Sequence, residues 1–107
     1  MCANESDPTA RDADELLRRL FDIAARRLSE REIQLHYSES VIKWLLERES
    51  WRQSCDPLRC LDGEWHRHIA AAIEALLLNR ELRPQDMLYV TMDGERTESR
   101  LKFEVIA

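Results

Sequence analysis

Leu16, Leu17, Leu20, Phe21, Ala24 and Leu28 recur at three- and four-residue spacing, which puts them on one face of a helix and predicts that element over residues 12–31. Asp12, Asp14 and Glu15 near its start, and Arg26, Arg27 and Arg31 near its end, suit the helix dipole. Ile33-Gln34-Leu35-His36-Tyr37 then alternates apolar and polar residues, the pattern of a short half-buried strand. Ser38 is placed to cap a second helix, with Val41, Ile42, Leu45 and Leu46 as its buried face. Residues 49–56 have no clear period and read as a connection.

Pro57 fits the first turn of a helix, where its missing N–H leaves no bond unmade. From there Leu58, Leu61, Trp65, Ile69, Ala72, Ile73 and Leu76 keep helical spacing, so residues 57–79 are expected to form the central packing element. Gly63 weakens that helix locally by about 1 kcal/mol relative to alanine. Arg83-Pro84-Gln85-Asp86 is a turn. Leu88, Val90 and Met92 alternate with Tyr89 and Thr91, as Leu101, Phe103 and Val105 do with Lys102 and Glu104. Asp93-Gly94 and a charged segment running to Arg100 separate these two strands, predicting a hairpin with a longer, mobile loop. The reading is an α+β fold, with about three helices packed on a small, mainly antiparallel sheet that ends in a β-hairpin.

The 107 residues suit one domain with one modest core. Residues 1–11 are polar, carry Pro8 and read as a flexible lead-in or a cloning remnant, which leaves residues 12–107 as the domain. Only two glycines and three prolines argue against the many turns of a sandwich or barrel. A net charge of −5 argues against a general nucleic-acid binder. The apolar stretch at 70–78 is broken by Glu74 and is too short to span a bilayer. The N-terminus lacks the basic start and apolar core of a signal peptide. Three cysteines form no paired framework, so reduced thiols are expected, in the cytoplasm or an organelle matrix.

Several segments, in order and at matching spacing, resemble the C-terminal small domain of the Clp-type AAA+ protein unfoldases and disaggregases. Residues 24–31, AARRLSER, resemble the end of that family's first helix, and Ile33 to Tyr37 followed by Ser38 its strand and second-helix start. Residues 79–86, NRELRPQD, resemble the turn between its long helix and final hairpin, and Leu88 to Met92 the strand that follows. The resemblance covers residues 12–106. It implies a domain that packs on the neighbouring subunit's large domain, stabilises a hexamer and moves as a lid over bound nucleotide. The partners it implies are adjacent AAA+ subunits or a large subdomain, with protein substrates met indirectly and neither nucleic acid nor membrane. The long helix and the final strand edge would meet the adjacent subunit.

Two departures bear on function. The family has Gly-Tyr after the second helix, where this chain has Ser50-Trp51; Trp51 can replace the aromatic, but Ser50 lacks the positive-φ freedom of glycine. The family opens its long helix with a Gly-Ala-Arg-Pro-Leu-Arg-Arg type segment whose first arginine senses ATP. Here Ser54-Cys55-Asp56-Pro57-Leu58-Arg59-Cys60 stands in its place. By resemblance Asp56, Pro57, Leu58 and Arg59 would face nucleotide, but Asp56 presents an anion where a permanent cation is needed. Arg59 lies one helical turn on and is the candidate for partial substitution.

The chain has no GxxxxGK[ST] phosphate loop, so it is not expected to act as an ATPase on its own. Walker motifs, and the ATP they bind, would belong to a large subdomain of a longer protein, and no cofactor is expected on this domain alone. Cys60, His66 and His68 do not converge on one helical face and read as surface or groove residues rather than metal ligands. Cys55 and Cys60, five apart, fit neither a redox pair nor a zinc knuckle. Trp65 belongs to the core stripe. Trp44, beside the Val41–Leu45 face, reads as a core-edge residue that could mark a partner surface. Arg18, Arg19, Arg26 and Arg27 alternate with carboxylates on a solvated face, and are the candidates for charge pairing across subunits. The alternative function is a free-standing protein-interaction module that keeps this fold without binding nucleotide, using the exposed edge strand and Trp44.

Overall fold

A computed structural model describes residues 7–94 and 100–107. The elements are α1 (Asp7–Ser29), β1 (Gln34–Tyr37), α2 (Glu39–Leu46), α3 (Glu49–Arg52), α4 (Pro57–Trp65), a π-helical turn (His66–Ala70), α5 (Ala71–Leu78), β2 (Met87–Asp93) and β3 (Arg100–Ile106). The fold is α+β, with a C-terminal β-hairpin. Residues 1–6 of the expected lead-in and residues 95–99 of the expected hairpin loop lie outside the described residues.

α1 begins at Asp7, five residues ahead of the expected start at residue 12, with Pro8 in the first turn where its missing N–H is tolerated. Ala13, Leu17, Phe21 and Leu28 form its fully covered face. The helix ends at Ser29, and the chain reverses through Glu32 at φ 65°, with the Ile33 N–H donating to the Leu28 carbonyl at 2.9 Å. The segment expected to be only a connection contains a single helical turn, α3. Its anchor is Trp51, which is buried and donates its indole N–H to the Leu45 carbonyl at 2.9 Å.

The long helix forms from Pro57 as expected, but it is not uniformly α-helical: a π turn at His66–Ala70 joins α4 to α5. α5 ends in a left-handed residue, Arg80 at φ 60°, and the N–H groups of Arg80 and Glu81 donate to the carbonyls of Leu77 and Leu76. These bonds satisfy carbonyls that a helix end would leave bare.

The sheet order is β1-β2-β3. β1 runs parallel to β2, from Gln34↔Met87 to Tyr37↔Val90. β2 runs antiparallel to β3, from Met87↔Ile106 to Asp93↔Arg100. The sheet is therefore mixed, with more antiparallel than parallel pairs. Rows Leu35–Leu88–Val105 and Tyr37–Val90–Phe103 share one face, and that face packs into the core. On the opposite face lies the row His36–Tyr89–Glu104, where the His36 ring stacks on Tyr89 with centroids 4.8 Å apart. Among the described residues, no helix is long and apolar enough to cross a membrane.

Phe21 joins the layers: it is fully buried, stacks on Tyr37 at 4.2 Å and meets Trp65 edge-on at 5.6 Å. Phe21→Ala should lower unfolding stability by about 3–5 kcal/mol in urea titrations, and a loss below about 1 kcal/mol would contradict this packing. Gly63 makes the opposite case. It is helical, and a Cβ added there meets nothing within 4 Å. Gly63→Ala should therefore raise stability by about 0.5–1 kcal/mol in the same titration.

Candidate functional site

Pro57 occupies the first turn of α4, and Asp56 is its N-cap residue with φ −127° and ψ 77°. The Asp56 side chain makes no capping hydrogen bond; its own N–H donates to Ser54 Oγ at 3.1 Å, and its carbonyl accepts the Cys60 N–H at 3.0 Å. Leu58 packs against the core, while Asp56 and Arg59 are exposed. Among the described residues, Arg59 has no ion-pair or hydrogen-bond partner. The exposed Asp56 carboxylate therefore sits at the positive end of the helix, where it favours the helix and opposes a second anion.

A second polar group was not anticipated. Glu64 is the buried charged residue of the described chain, 3% exposed, three residues after Leu61 on the core-facing stripe. Arg48 Nε donates to Glu64 Oε1 at 2.9 Å, and the Ser50 hydroxyl donates to Glu64 Oε2. His68 Nε2 lies 3.2 Å from Glu64 Oε1, without the alignment of a full hydrogen bond, so this contact is ionic when His68 is protonated. Arg48 precedes α3 and His68 lies in the π turn, so the cluster ties the α2–α3 connection to the long helix. Burial works against the Glu64 charge, but Ser50, Arg48 and His68 together hold the carboxyl below its ordinary value of 4.5. A carboxylate on an apolar stripe was the sequence signal for this cluster. Its partners, 14 and 16 residues away, carried none.

Trp44 belongs to the same cluster. The Arg48 guanidinium lies 4.8 Å from its ring centroid, and His68 meets it edge-on at 5.5 Å. It is half-buried, with two of its neighbours already in place. Arg18 is likewise engaged: it bonds Asp14 at 3.0 Å and grips both Glu39 oxygens, at 2.9 and 2.6 Å, joining α1 to α2. Those bonds hold the exposed Glu39 carboxyl below its ordinary value. Arg19, Arg26 and Arg27 are exposed and unpaired among the described residues.

Arg27 lines a cleft of about 460 Å³ between the second half of α1 and the π turn and α5. Leu20, Ile23, Trp65, Ile73 and Leu77 supply apolar wall, with Arg31 and Glu74 also lining it. None of Asp56, Pro57, Leu58 or Arg59 reaches it, so the positions that the resemblance turns toward nucleotide and the cleft are separate places. Among the described residues, no group of three or more His, Cys, Asp or Glu side chains is placed to hold a metal. His66 turns to Asp62, His68 to Glu64, and the Cys60 thiol to the Ser50 carbonyl at 3.7 Å. Cys60 is a free thiol, whereas Cys55 is disulfide-bonded, a correction to the expectation of reduced thiols throughout.

Comparison with models of known protein families finds no match, and comparison with curated proteins finds no significant one.

The depressed Glu64 value fixes a sign. Its contribution to stability is fully present above its ordinary value of 4.5 and is lost as pH falls through the lower folded-state value. Between about pH 6 and about pH 3, Glu64→Gln should therefore lose less stability than the parent chain in parallel denaturant titrations. Arg48→Met, which strips one partner from the buried carboxylate, should cost about 1–3 kcal/mol at neutral pH. Equal acid slopes for parent and Glu64→Gln would remove Glu64 from this role.

Proposed function

We propose that this chain is a non-catalytic C-terminal domain of a Clp-like AAA+ unfoldase or disaggregase, supporting hexamer assembly and nucleotide-coupled motion. The observation that carries this reading is the order of elements around Pro57. A helix, a strand and a second helix precede a long helix opened by proline, and a strand and hairpin strand follow it. The parallel pairing of β1 with β2 supports it by bringing the two strand segments of the resemblance side by side. Trp51, buried against α2, supports its replacement of the family's aromatic residue.

In this reading ATP is bound by a large subdomain, and the domain contributes no catalytic group. Asp56 sets the copy apart: its carboxylate at the α4 N-terminus repels a triphosphate that an arginine would attract. Arg59, exposed and unpaired among the described residues, supplies the remaining cation of the segment. Assembly and coupling, rather than hydrolysis, are what such a copy is suited to.

A second reading, a free-standing interaction module without nucleotide, is favoured by the seven-residue edge strand β3, whose outer side pairs with no strand among the described residues. One measurement tests both readings and a second separates them. The chain alone should turn over no ATP, and measurable turnover would end both. Antibodies to the chain should detect in source extract a polypeptide much larger than 12.7 kDa that carries a Walker motif by mass spectrometry. A band near 12.7 kDa would favour the module.

A further inference from the structure

β3 is an edge strand of seven residues in which exposed and half-buried positions alternate. Among the described residues no strand pairs with its outer side, which is a template for another strand. Leu101, Phe103 and Val105 lie on the core-facing side of the sheet but are only partly covered, whereas Leu88 and Val90 beside them on β2 are buried. Arg100, Lys102, Glu104 and Ile106 alternate with them on the other face. Charges on an edge usually discourage pairing with other chains. Here their order makes one pairing favourable.

We propose that β3 is a self-recognition edge: two copies of this chain pair antiparallel through Arg100–Ile106 about a two-fold axis at Phe103. The two three-stranded sheets then become one six-stranded sheet.

The register follows from elimination. Directly opposed residues in an antiparallel pair project to the same face, so an axis between two residues would set apolar against polar positions and is excluded. Of the axes on a residue, one at Lys102 opposes two lysines and one at Glu104 opposes two glutamates. One at Leu101 sets Arg100 against Lys102, and one at Val105 sets Glu104 against Ile106 and makes no charge pair within the strand. With the axis at Phe103, Lys102 of each copy faces Glu104 of the other, and no like charges meet. Leu101 then faces Val105 and Phe103 faces its own copy, which extends the apolar layer across the seam. Ile106, 41% exposed in the single chain, comes under the aliphatic stem of Arg100. A single strand pair buries less than a standard interface of about 1,600 Å², so the dimer is weak and concentration-dependent.

Sedimentation equilibrium of the full chain should show mass rising above 12.7 kDa toward twice that value with concentration. Lys102→Glu and Glu104→Lys each place like charges at both symmetric contacts, and each alone should weaken dimerisation about tenfold or more. Mixing the two variants restores Lys–Glu pairing at both contacts and should recover the dimer, as should the double exchange within one chain. Both side chains are exposed, so circular dichroism should report an unchanged fold. As a readout needing no variant, exchange of the β3 amides should slow as the parent chain is concentrated. The proposal is overturned by a monomer at every concentration to about 1 mM. It is equally overturned by a dimer that neither single reversal weakens, by failure of the mixture to recover it, or by β3 exchange independent of concentration.

Discussion

The parallel pairing of β1 with β2 is the constraint from which the rest of the architecture follows. Parallel neighbours cannot be joined by a tight turn; the chain must cross over and return. Everything between Tyr37 and Met87 is that crossover, and it carries four of the five α-helices of the described residues. Hydrogen bonds hold the pair at both ends. Gln34 donates to the Asp86 carbonyl at 3.1 Å, Ser38 to the Val90 carbonyl at 3.1 Å, and Gln85 to the Glu32 carbonyl at 2.6 Å. With those ends fixed, Leu35, Tyr37, Leu88 and Val90 face the same core as Phe21, Leu61, Trp65 and Ile69. A helical layer on one sheet face is the result, and the other face is left to His36, Tyr89 and Glu104.

Within that layer a single buried carboxylate does what apolar packing cannot. Glu64 would be costly if unpaired, so its position demands Arg48 and Ser50 from a segment more than a dozen residues earlier. Apolar contacts between the long helix and the α2–α3 connection would tolerate sliding by a residue; the directional bonds to Glu64 do not. Trp44 gains its neighbours, Arg48 and His68, from the same arrangement. The π turn begins two residues after Glu64 and contains His68, so the wide turn is where the long helix contributes its second polar contact. The cluster is best understood as a register device between two helical segments rather than as a reactive centre: the Ser50 hydroxyl is spent on Glu64 itself.

What could be read from the residues was what depends on local periodicity. The stripe from Leu16 to Leu28, the alternation around Leu35, Leu88 and Phe103, and Pro57 at a helix start all carry their structure in their spacing. Three features did not. Parallel pairing of Gln34–Tyr37 with Met87–Val90 joins segments about fifty residues apart, and alternation is the same for parallel and antiparallel strands. α3 is too short for a period and exists because Trp51 finds the Leu45 carbonyl. The Glu64 cluster was visible only as a carboxylate on an apolar stripe, and its meaning lay in Arg48 and Ser50. The same limit applied to Arg18, read as part of a solvated face, and to Trp44, read as a core-edge residue that could mark a partner surface: Glu39 and His68, the partners that occupy them, belong to other elements.

Under the proposed reading, Asp56 is where the scaffold and a nucleotide response separate. At a helix N-terminus a negative charge is favourable, and Asp56 acts there through its charge alone, since its side chain makes no capping bond. The fold therefore loses nothing by having aspartate at this position. A phosphate group would be drawn to the same end of the helix for the same reason, and the resident carboxylate competes with it for that field. An arginine there serves a ligand at some expense to the helix; an aspartate serves the helix at the expense of the ligand. Meanwhile Leu58, Leu61 and Trp65, which hold α4 in the core, are indifferent to which is chosen.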